Sequence, residues 1–491
     1  MKNLFRTMPV EEVLARGERG GLNRRLSGVD LIGFGIGIII GTGVFTLTGI
    51  EAKNHAGPAV VVSFVIGGIV AALAAMCYAE LASAVPTAGS AYTYAYATLG
   101  EVFAWMIGWD LLLEFVLGTA VVARGWSGYL ANLLGLPGEW FGEHSTVNIG
   151  AMLIVAVLTA VAVAGIRESS RVTNALVVVK VTVCVLVIVA GLYYFKAANL
   201  HPFVPPAQPS ESSASVTEQP LVQALLGMGQ SVYGVGGILS AAAVVFFAYT
   251  GFEALANLGE ETKRPKRDLP VGLLGSLILC TVLYIAVALV LIGMVDYRHI
   301  DEGAPLAAAF QSVGAPWIAA LISLSAITGL TSVMMVELVT IGRIGFAMSR
   351  DGLLPAPLSK VHPRWGTPHR MTIAGAVIIM LFAGFVPLSA LADMVSIGAL
   401  SGFVIVALAV PVLRRRKPQL ARPFRVPLSP WLPILTAVGC LYLMMNLNVM
   451  TWLRFGIWLA IGLAVYLLYG RRNARIANPP PAKTTGAPVG G

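Results

Sequence analysis

The sequence has few charged residues for its length. Of its 491 residues, 12% are charged and 57% are hydrophobic, whereas a soluble domain is about 25% charged. At a mean hydropathy of +0.80, too few polar side chains remain to cover the surface of a water-soluble globule. The composition therefore predicts a membrane protein and argues against a soluble enzymatic domain.

Cysteine is also scarce, and its placement excludes metal-ligand spacing. Each cysteine lies inside an apolar run, far in sequence from the others, which favours a packing role over a disulfide or metal site. We therefore expect no metal and no cofactor. We also expect no cleavable signal peptide, because no small-residue cleavage site follows the first apolar run. The cysteines are Cys77, Cys184, Cys280 and Cys440.

Long apolar runs dominate the rest of the chain. A membrane helix needs about 20 mostly apolar residues, and twelve segments approach or exceed this length. The sequence therefore predicts an all-α polytopic membrane protein with twelve transmembrane helices. The predicted spans are 29–50, 58–85, 101–131, 147–165, 173–197, 235–258, 270–295, 315–345, 372–388, 391–413, 429–448 and 452–470.

Basic residues are concentrated in alternate loops between these spans. Most of the 33 Lys and Arg residues fall on one side if the N-terminus lies in the cytoplasm, as the positive-inside rule requires. We therefore predict a cell inner (cytoplasmic) membrane protein with both termini in the cytoplasm. The net charge of +9 then indicates contact with anionic lipid rather than with nucleic acid.

The first span contains two superimposed glycine patterns. Gly33, Gly37 and Gly41 recur every four residues, which favours close helix packing, and we assign that role to the first two. Gly41-Thr42-Gly43 instead favours a break in the helix. A break at membrane depth is tolerated where the backbone lines a cavity or is buried in protein, and the N–H groups freed there would bind a carboxylate.

The sixth span carries a second predicted break, at Gly251. Aromatic residues surround it, and Glu253 follows two residues later, where it either caps the half-helix or touches substrate. Two glycine-interrupted spans that open two five-helix halves are typical of an inverted-repeat transporter. The predicted organisation is a cytoplasmic segment 1–28, a first repeat 29–200, an extracellular loop 201–234, a second repeat 235–413, helices 414–470 and a disordered cytoplasmic tail 471–491.

Several ionisable residues lie inside predicted spans, where each needs a reason. Lys180 is nine residues from Arg171, about 13 Å along a helix, which favours a functional lysine over one that snorkels to the surface. Because desolvation disfavours a charged lysine, such a group can load and release a proton. Asp110 and Glu114 share a helix face, and they line the cavity, pair with Arg124 or form a helix-end hydrogen bond. The role of Glu337 is left open.

Three motifs together resemble the amino acid–polyamine–organocation superfamily, and most closely its cationic amino acid transporter family. They are Ile40-Gly-Thr-Gly-Val-Phe, Phe247-Ala-Tyr-Thr-Gly-Phe-Glu and Ser349-Arg-Asp-Gly-Leu-Leu-Pro355. The likeness covers roughly residues 20–470. It implies the five-plus-five inverted-repeat fold, with helices 1 and 6 discontinuous.

The resemblance also implies a substrate site for the backbone of an L-amino acid, cationic or neutral. The carboxylate would bind around Thr42, Gly43 and Val44. The amino group would meet carbonyl groups of the two breaks, and the side chain would lie near span 8. In proton-coupled members, a lysine at the position of Lys180 occupies the place of a sodium ion. The further residues implied are Ile39, Phe247, Ala248, Thr250 and Leu330.

The resulting hypothesis is a proton-coupled amino acid symporter that works by alternating access and is not an enzyme. Thr250, where many members carry an aliphatic residue, and Glu253, where many carry Asp, leave the substrate side chain open. The alternatives are an exchanger without obligatory proton coupling and a non-transporting amino-acid sensor on the same fold. The sequence does not determine the oligomeric state or whether a small membrane subunit binds.

Overall fold

The computed structural model describes residues 26–85, 90–143, 145–165, 170–209, 216–229, 231–259 and 261–474. The predicted N-terminal segment lies almost entirely outside these residues, as do the Ser-rich part of the extracellular loop and the tail beyond residue 474. The described chain is mostly helical. This agrees with the prediction of an all-α protein.

Helices of eight or more residues are numbered here in chain order. They are α1 (Gly28–Ile39), α2 (Val60–Ala84), α3 (Ser90–Thr98), α4 (Glu101–Leu134), α5 (Ile149–Val163), α6 (Ser170–Tyr193), α7 (Gly234–Val245), α8 (Pro265–Met294), α9 (Pro305–Ser312), α10 (Pro316–Arg350), α11 (His369–Phe385), α12 (Leu388–Arg416), α13 (Trp431–Met445) and α14 (Val449–Val465).

Shorter elements connect these helices. The α-helical and π-helical pieces are Gly43–Leu47, Thr48–Glu51, Ala52–Ala56, Gly138–Phe141, Leu221–Leu225, Tyr466–Gly470 and Arg471–Asn473. The 3₁₀ turns are Gly57–Ala59, Ala197–Leu200, Val216–Glu218, Phe246–Tyr249, Phe252–Leu258, Tyr297–His299 and Ala356–Ser359. Two antiparallel strands, Gln208–Pro209 and Ser231–Val232, pair within the predicted extracellular loop.

In the described part of the chain, eight helical segments are long and apolar enough to cross a membrane. Four shorter apolar helices, α1, α5, α11 and α13, accompany them. Each of the twelve predicted spans coincides with helical backbone. The structure therefore agrees with a polytopic membrane protein.

Two long helices form the centre of the fold. Helix α4 packs along α10 and α12, and α8 packs along α1 and α2. Peripheral helices expose apolar side chains outward, such as Val178 on α6, Leu435 on α13 and Leu453 on α14. Apolar surface is more stable in contact with lipid than with water. We therefore assign the predicted contact with lipid to these helices. The interrupted helices α1 and α7 thus lie inside the bundle.

The structure differs from the predicted loops at several points. Helix α3 lies between the predicted spans 58–85 and 101–131, where a cytoplasmic loop was expected. Its residues Tyr92, Tyr94 and Tyr96 are buried. The segment has a low mean hydropathy, which is why a loop was predicted. Burial of these aromatic rings stabilises the helix nonetheless. Helices α8 and α10 also extend into predicted loops, because their polar end turns continue the helix beyond the apolar run.

Candidate functional site

The first interruption lies at Ile40 and Gly41. Helix α1 ends at Ile39, Ile40 is extended (φ −72°, ψ 95°) and helical backbone resumes at Thr42. The non-helical residues therefore begin one position before the predicted Gly41-Thr42-Gly43 break, and Gly43 is already helical. Amide groups at the start of a helical segment have no partner within it, so Thr42 and Gly43 are placed where a ligand could accept hydrogen bonds from the backbone.

The second interruption lies at Thr250 and Gly251. Thr250 is extended (φ −66°, ψ 159°), and Gly251 has a φ of +102°, which favours glycine. Both carboxylate oxygens of Glu253 accept hydrogen bonds from the Gly251 N–H, at 2.8 and 2.9 Å. Of the two predicted roles for Glu253, the contacts in this structure are those of a cap on the break.

The two interruptions meet around a small cavity. Of the predicted substrate residues, Ile39, Thr42, Gly43, Phe247, Ala248 and Thr250 lie on its wall, together with the break residues Gly41 and Gly251. Val44, Glu114 and Leu330 are buried but do not line it. The wall also contains Ile38, Val122, Val333 and Glu337, to which the sequence assigned no role.

Thr42 brings an unsatisfied polar group to this wall. Its side chain is fully buried, and its Oγ1 has no hydrogen-bond partner among the described residues. An unpaired buried hydroxyl costs about 1–3 kcal/mol. A ligand carboxylate in the cavity would accept a hydrogen bond from this group and remove that cost.

Two backbone carbonyls that the resemblance assigned to the substrate amino group already accept hydrogen bonds. The Phe247 carbonyl accepts from the Thr250 amide at 3.1 Å and from its hydroxyl at 2.8 Å. The Ile39 carbonyl accepts from the Tyr284 hydroxyl at 2.5 Å. A carbonyl oxygen has two lone pairs, so an amino group could join Tyr284 at Ile39 but would compete with Thr250 at Phe247.

Lys180 lies beside the first interruption rather than on the cavity wall. Its ammonium group donates to the carbonyls of Gly37, at 2.7 Å, and Ile40, at 3.1 Å. The residue is 1% exposed, so it does not snorkel to the surface. A positive charge at the C-terminal end of α1 is also favourable for the helix dipole.

Two glycines make room for the Lys180 side chain and for the close approach of α1 to α6. A β-carbon on Gly329 would lie 2.7 Å from Cε of Lys180, and one on Gly37 would lie 2.8 Å from Val177. The packing role predicted for Gly37 is therefore confirmed. The same prediction is wrong for Gly33, because no atom lies within 4 Å of a β-carbon built there.

The carboxylates of α4 have partners that the sequence did not predict. Asp110 accepts a hydrogen bond from Ser401 at 2.7 Å, and Glu114 lies beside Glu253. Arg124 instead lies 3.6 Å from Glu143. Asp110 thus ties α4 to α12, and Glu114 lies close to the second interruption. Glu337, whose depth in an apolar span drew notice in the sequence, lies on the cavity wall.

In this chain, apolar helices surround a buried core that contains two interrupted helices. This arrangement places the chain among polytopic membrane proteins. Residues 26–467 match the family model described as Amino acid permease. The chain therefore belongs to the amino acid permease family of the amino acid–polyamine–organocation superfamily, as the three motifs predicted.

Relatives along almost the whole chain are transporters by name. The methylthioribose transporter of Bacillus subtilis (strain 168) is 42% identical over 486 residues, which cover 96% of this chain and 99% of that protein. The branched-chain amino acid permease BcaP of the same organism is 41% identical over 491 residues, with 96% and 99% covered. Cationic amino acid transporter 1 of Arabidopsis thaliana is 32% identical over 537 residues, with 95% and 86% covered. These names indicate transport, but each states a different substrate.

Proposed function

We propose that this chain imports an amino acid across the cytoplasmic membrane by proton-coupled alternating access. Its twelve helices would form a five-plus-five inverted repeat, 29–200 and 235–413, with both termini in the cytoplasm. Membership of the permease family supports amino acid transport. The observation that carries the proposal is the cavity between two interrupted helices, with Lys180 bonded to one of them.

The substrate would bind across both interruptions. Its carboxylate would accept hydrogen bonds from Thr42 and from backbone amides near Gly43, supported by the unpaired Thr42 hydroxyl. Its amino group would meet carbonyls near Ile39 and in the sixth span. Half-helices at a break can rotate against the rest of the bundle, which is the movement that alternating access needs.

Lys180 would couple this movement to a proton. While charged, it holds the Gly37 and Ile40 carbonyls at the end of α1. Loss of the proton removes the charge and one donor, which weakens the hold on these carbonyls and frees the interruption to change shape. The proton would enter with substrate from the outside and leave to the cytoplasm.

Uptake by purified protein in proteoliposomes tests the proposal. Substrates are first found by thermal shift with the twenty proteinogenic L-amino acids. Wild type should then accumulate the best ligand when the outside is more acidic, and Lys180→Gln should lose this gradient-driven component. Lys196→Gln, an exposed lysine just beyond α6, is the matched control and should behave as wild type.

Exchange of labelled for unlabelled substrate, without a pH gradient, serves as the internal check on folding. Lys180→Gln should retain this exchange. Full gradient-driven uptake by Lys180→Gln would contradict the coupling role. Uptake by wild type that needs internal amino acid but no pH gradient would identify an exchanger instead. Binding with neither uptake nor exchange would identify a sensor.

A further inference from the structure

Among the described residues, Glu337 of α10 is the one acidic side chain on the cavity wall. Its residue is half-buried, in contrast to the fully buried Glu114 and Glu253 nearby. A β-carbon on Gly118 would lie 3.2 Å from Glu337 Oε1, so the absence of a side chain there admits the carboxyl group. Helix α4 thus holds this acid against the cavity.

The two carboxyl oxygens of Glu337 have unequal surroundings. The Oε1 atom lies against Gly118 of α4, whereas Oε2 is buried with no hydrogen-bond partner in the described part of the chain. Lys180, a basic group close enough to act on Glu337, donates to the carbonyls of Gly37 and Ile40. The Oε2 atom can therefore accept a hydrogen bond, and the apolar side chains around it cannot donate one.

The other acids near the cavity lie off its wall. Glu253 accepts from the Gly251 amide, and Glu114 lies beside Glu253. Apart from Thr42 and Thr250 at the two interruptions, the other wall residues, such as Val122 and Val333, carry no polar side chain. The side chain of a bound substrate therefore meets one carboxyl group among apolar side chains. Binding pockets commonly use such a single polar group to select their ligand.

We propose that Glu337 selects the side chain of the substrate, and that it takes a hydrogen-bond donor there, an ammonium or hydroxyl group rather than a hydrocarbon. This inference rests on the proposed function, because it assumes that the amino acid backbone occupies the two interruptions. A donor satisfies the unpaired oxygen, whereas an alkyl group of equal size leaves it unpaired and desolvated. Sites built to hydrogen-bond a substrate reject the analogue that lacks the donor.

Three amino acids of nearly equal size test this choice on the full-length protein in detergent. L-norvaline, L-homoserine and L-2,4-diaminobutyrate end their side chains in a methyl, hydroxyl and ammonium group respectively. Homoserine and diaminobutyrate should each bind at least about tenfold more tightly than norvaline, the ratio that one hydrogen bond commonly contributes. Affinities are measured by thermal shift titration or by competition against the best labelled ligand.

Variants of Glu337 identify the residue responsible. Glu337→Met should remove the preference while keeping norvaline binding, which also shows that the variant is folded. Glu337→Gln retains an acceptor without the charge, so it should keep the preference for homoserine and weaken that for diaminobutyrate. Asp393→Asn is the control for a buried acid away from the cavity wall and should leave the order of affinities unchanged.

Norvaline that binds wild type as well as the other two would overturn the inference about Glu337. An unchanged preference in Glu337→Met would do so as well. These outcomes leave the proposed function intact, because an amino acid still binds. If none of the twenty amino acids or of these three binds wild type, the proposed function itself fails.

Discussion

Gly43 and Ala248 cross with their backbones in contact. A β-carbon on Gly43 would lie 2.3 Å from Cβ and 2.5 Å from Cα of Ala248. The crossing joins the second half of the interrupted first helix to the 3₁₀ turn that precedes the second interruption. Gly43 is helical, so its role in the structure is close approach rather than an unusual backbone conformation.

A single methyl group at this crossing should disrupt the site. Gly43→Ala forces the two backbones apart, and overpacking of this kind costs about 1–3 kcal/mol. Because Gly43 and Ala248 both line the cavity, substrate binding and uptake should be lost as well. Thermal unfolding in detergent and uptake into proteoliposomes measure the two effects.

Gly33→Ala is the matched control for this substitution. Gly33 lies in α1 of the same predicted span, and no atom lies within 4 Å of a β-carbon built there. Alanine in a helix is favoured over glycine by about 1 kcal/mol, so this variant should be at least as stable as wild type and fully active. Equal behaviour of the two variants would contradict the assignment of Gly43 to a tight crossing.

The positions of the helices follow from local patterns, whereas the positions of the breaks do not. Each of the twelve predicted apolar runs coincides with helical backbone, because each run is long compared with the uncertainty in its ends. Glycine content placed the first break at Gly41-Thr42-Gly43, but the extended residue is Ile40. Lys180 accounts for the difference, since it binds the carbonyls of Gly37 and Ile40 from another helix. No local pattern contains such a partner.

The same reason limits prediction of the candidate site. Eight of the residues named from motifs or glycine patterns lie on the cavity wall, because motifs follow the backbone of the breaks. Glu337 was noticed only as a buried acid, since its neighbour Gly118 lies more than 200 positions away in sequence. Glu114 shows the reverse case, because it was expected at the substrate site but lies beside Glu253 and not on the wall.

The closeness of Glu114 and Glu253 gives a second prediction. Two buried carboxyl groups that lie side by side repel each other when both are charged. Glu114→Gln keeps the shape and the polarity of the side chain without its charge, so the variant should unfold at nearly the wild-type temperature. Glu114→Leu leaves Glu253 without this polar neighbour and should be destabilised by about 1–3 kcal/mol.

Thermal unfolding of both variants in the same detergent checks this prediction. Glu139→Gln, at an exposed carboxylate, controls for the loss of one acidic group and should match wild type. If Glu114→Gln were as unstable as Glu114→Leu, the site would require a carboxyl group rather than any polar side chain of this shape. If neither variant differed from wild type, the closeness of Glu114 and Glu253 would contribute nothing to stability.

The buried Glu80 and the partly exposed Arg414 form an ion pair that joins α2 to the end of α12. The guanidinium group donates to the two carboxylate oxygens at 2.8 and 2.6 Å, and the Val426 amide donates to the same carboxylate at 2.7 Å. Glu80 is 1% exposed. This paired geometry gives two charge-assisted hydrogen bonds at once, and it attaches the loop that follows α12.

Removal of Arg414 should therefore destabilise the protein by about 1.5–3 kcal/mol, the range for hydrogen bonds to charged groups. Arg414→Gln cannot reproduce the paired contact and leaves Glu80 buried with reduced compensation. The exposed neighbour Arg415 provides the control, and Arg415→Gln should unfold at the wild-type temperature because solvent already satisfies its side chain. Melting curves of the three proteins, recorded together in one detergent, measure the difference. An equal melting temperature for Arg414→Gln and Arg415→Gln would mean that other contacts hold the loop after α12. The ion pair would then add nothing to the stability of the protein.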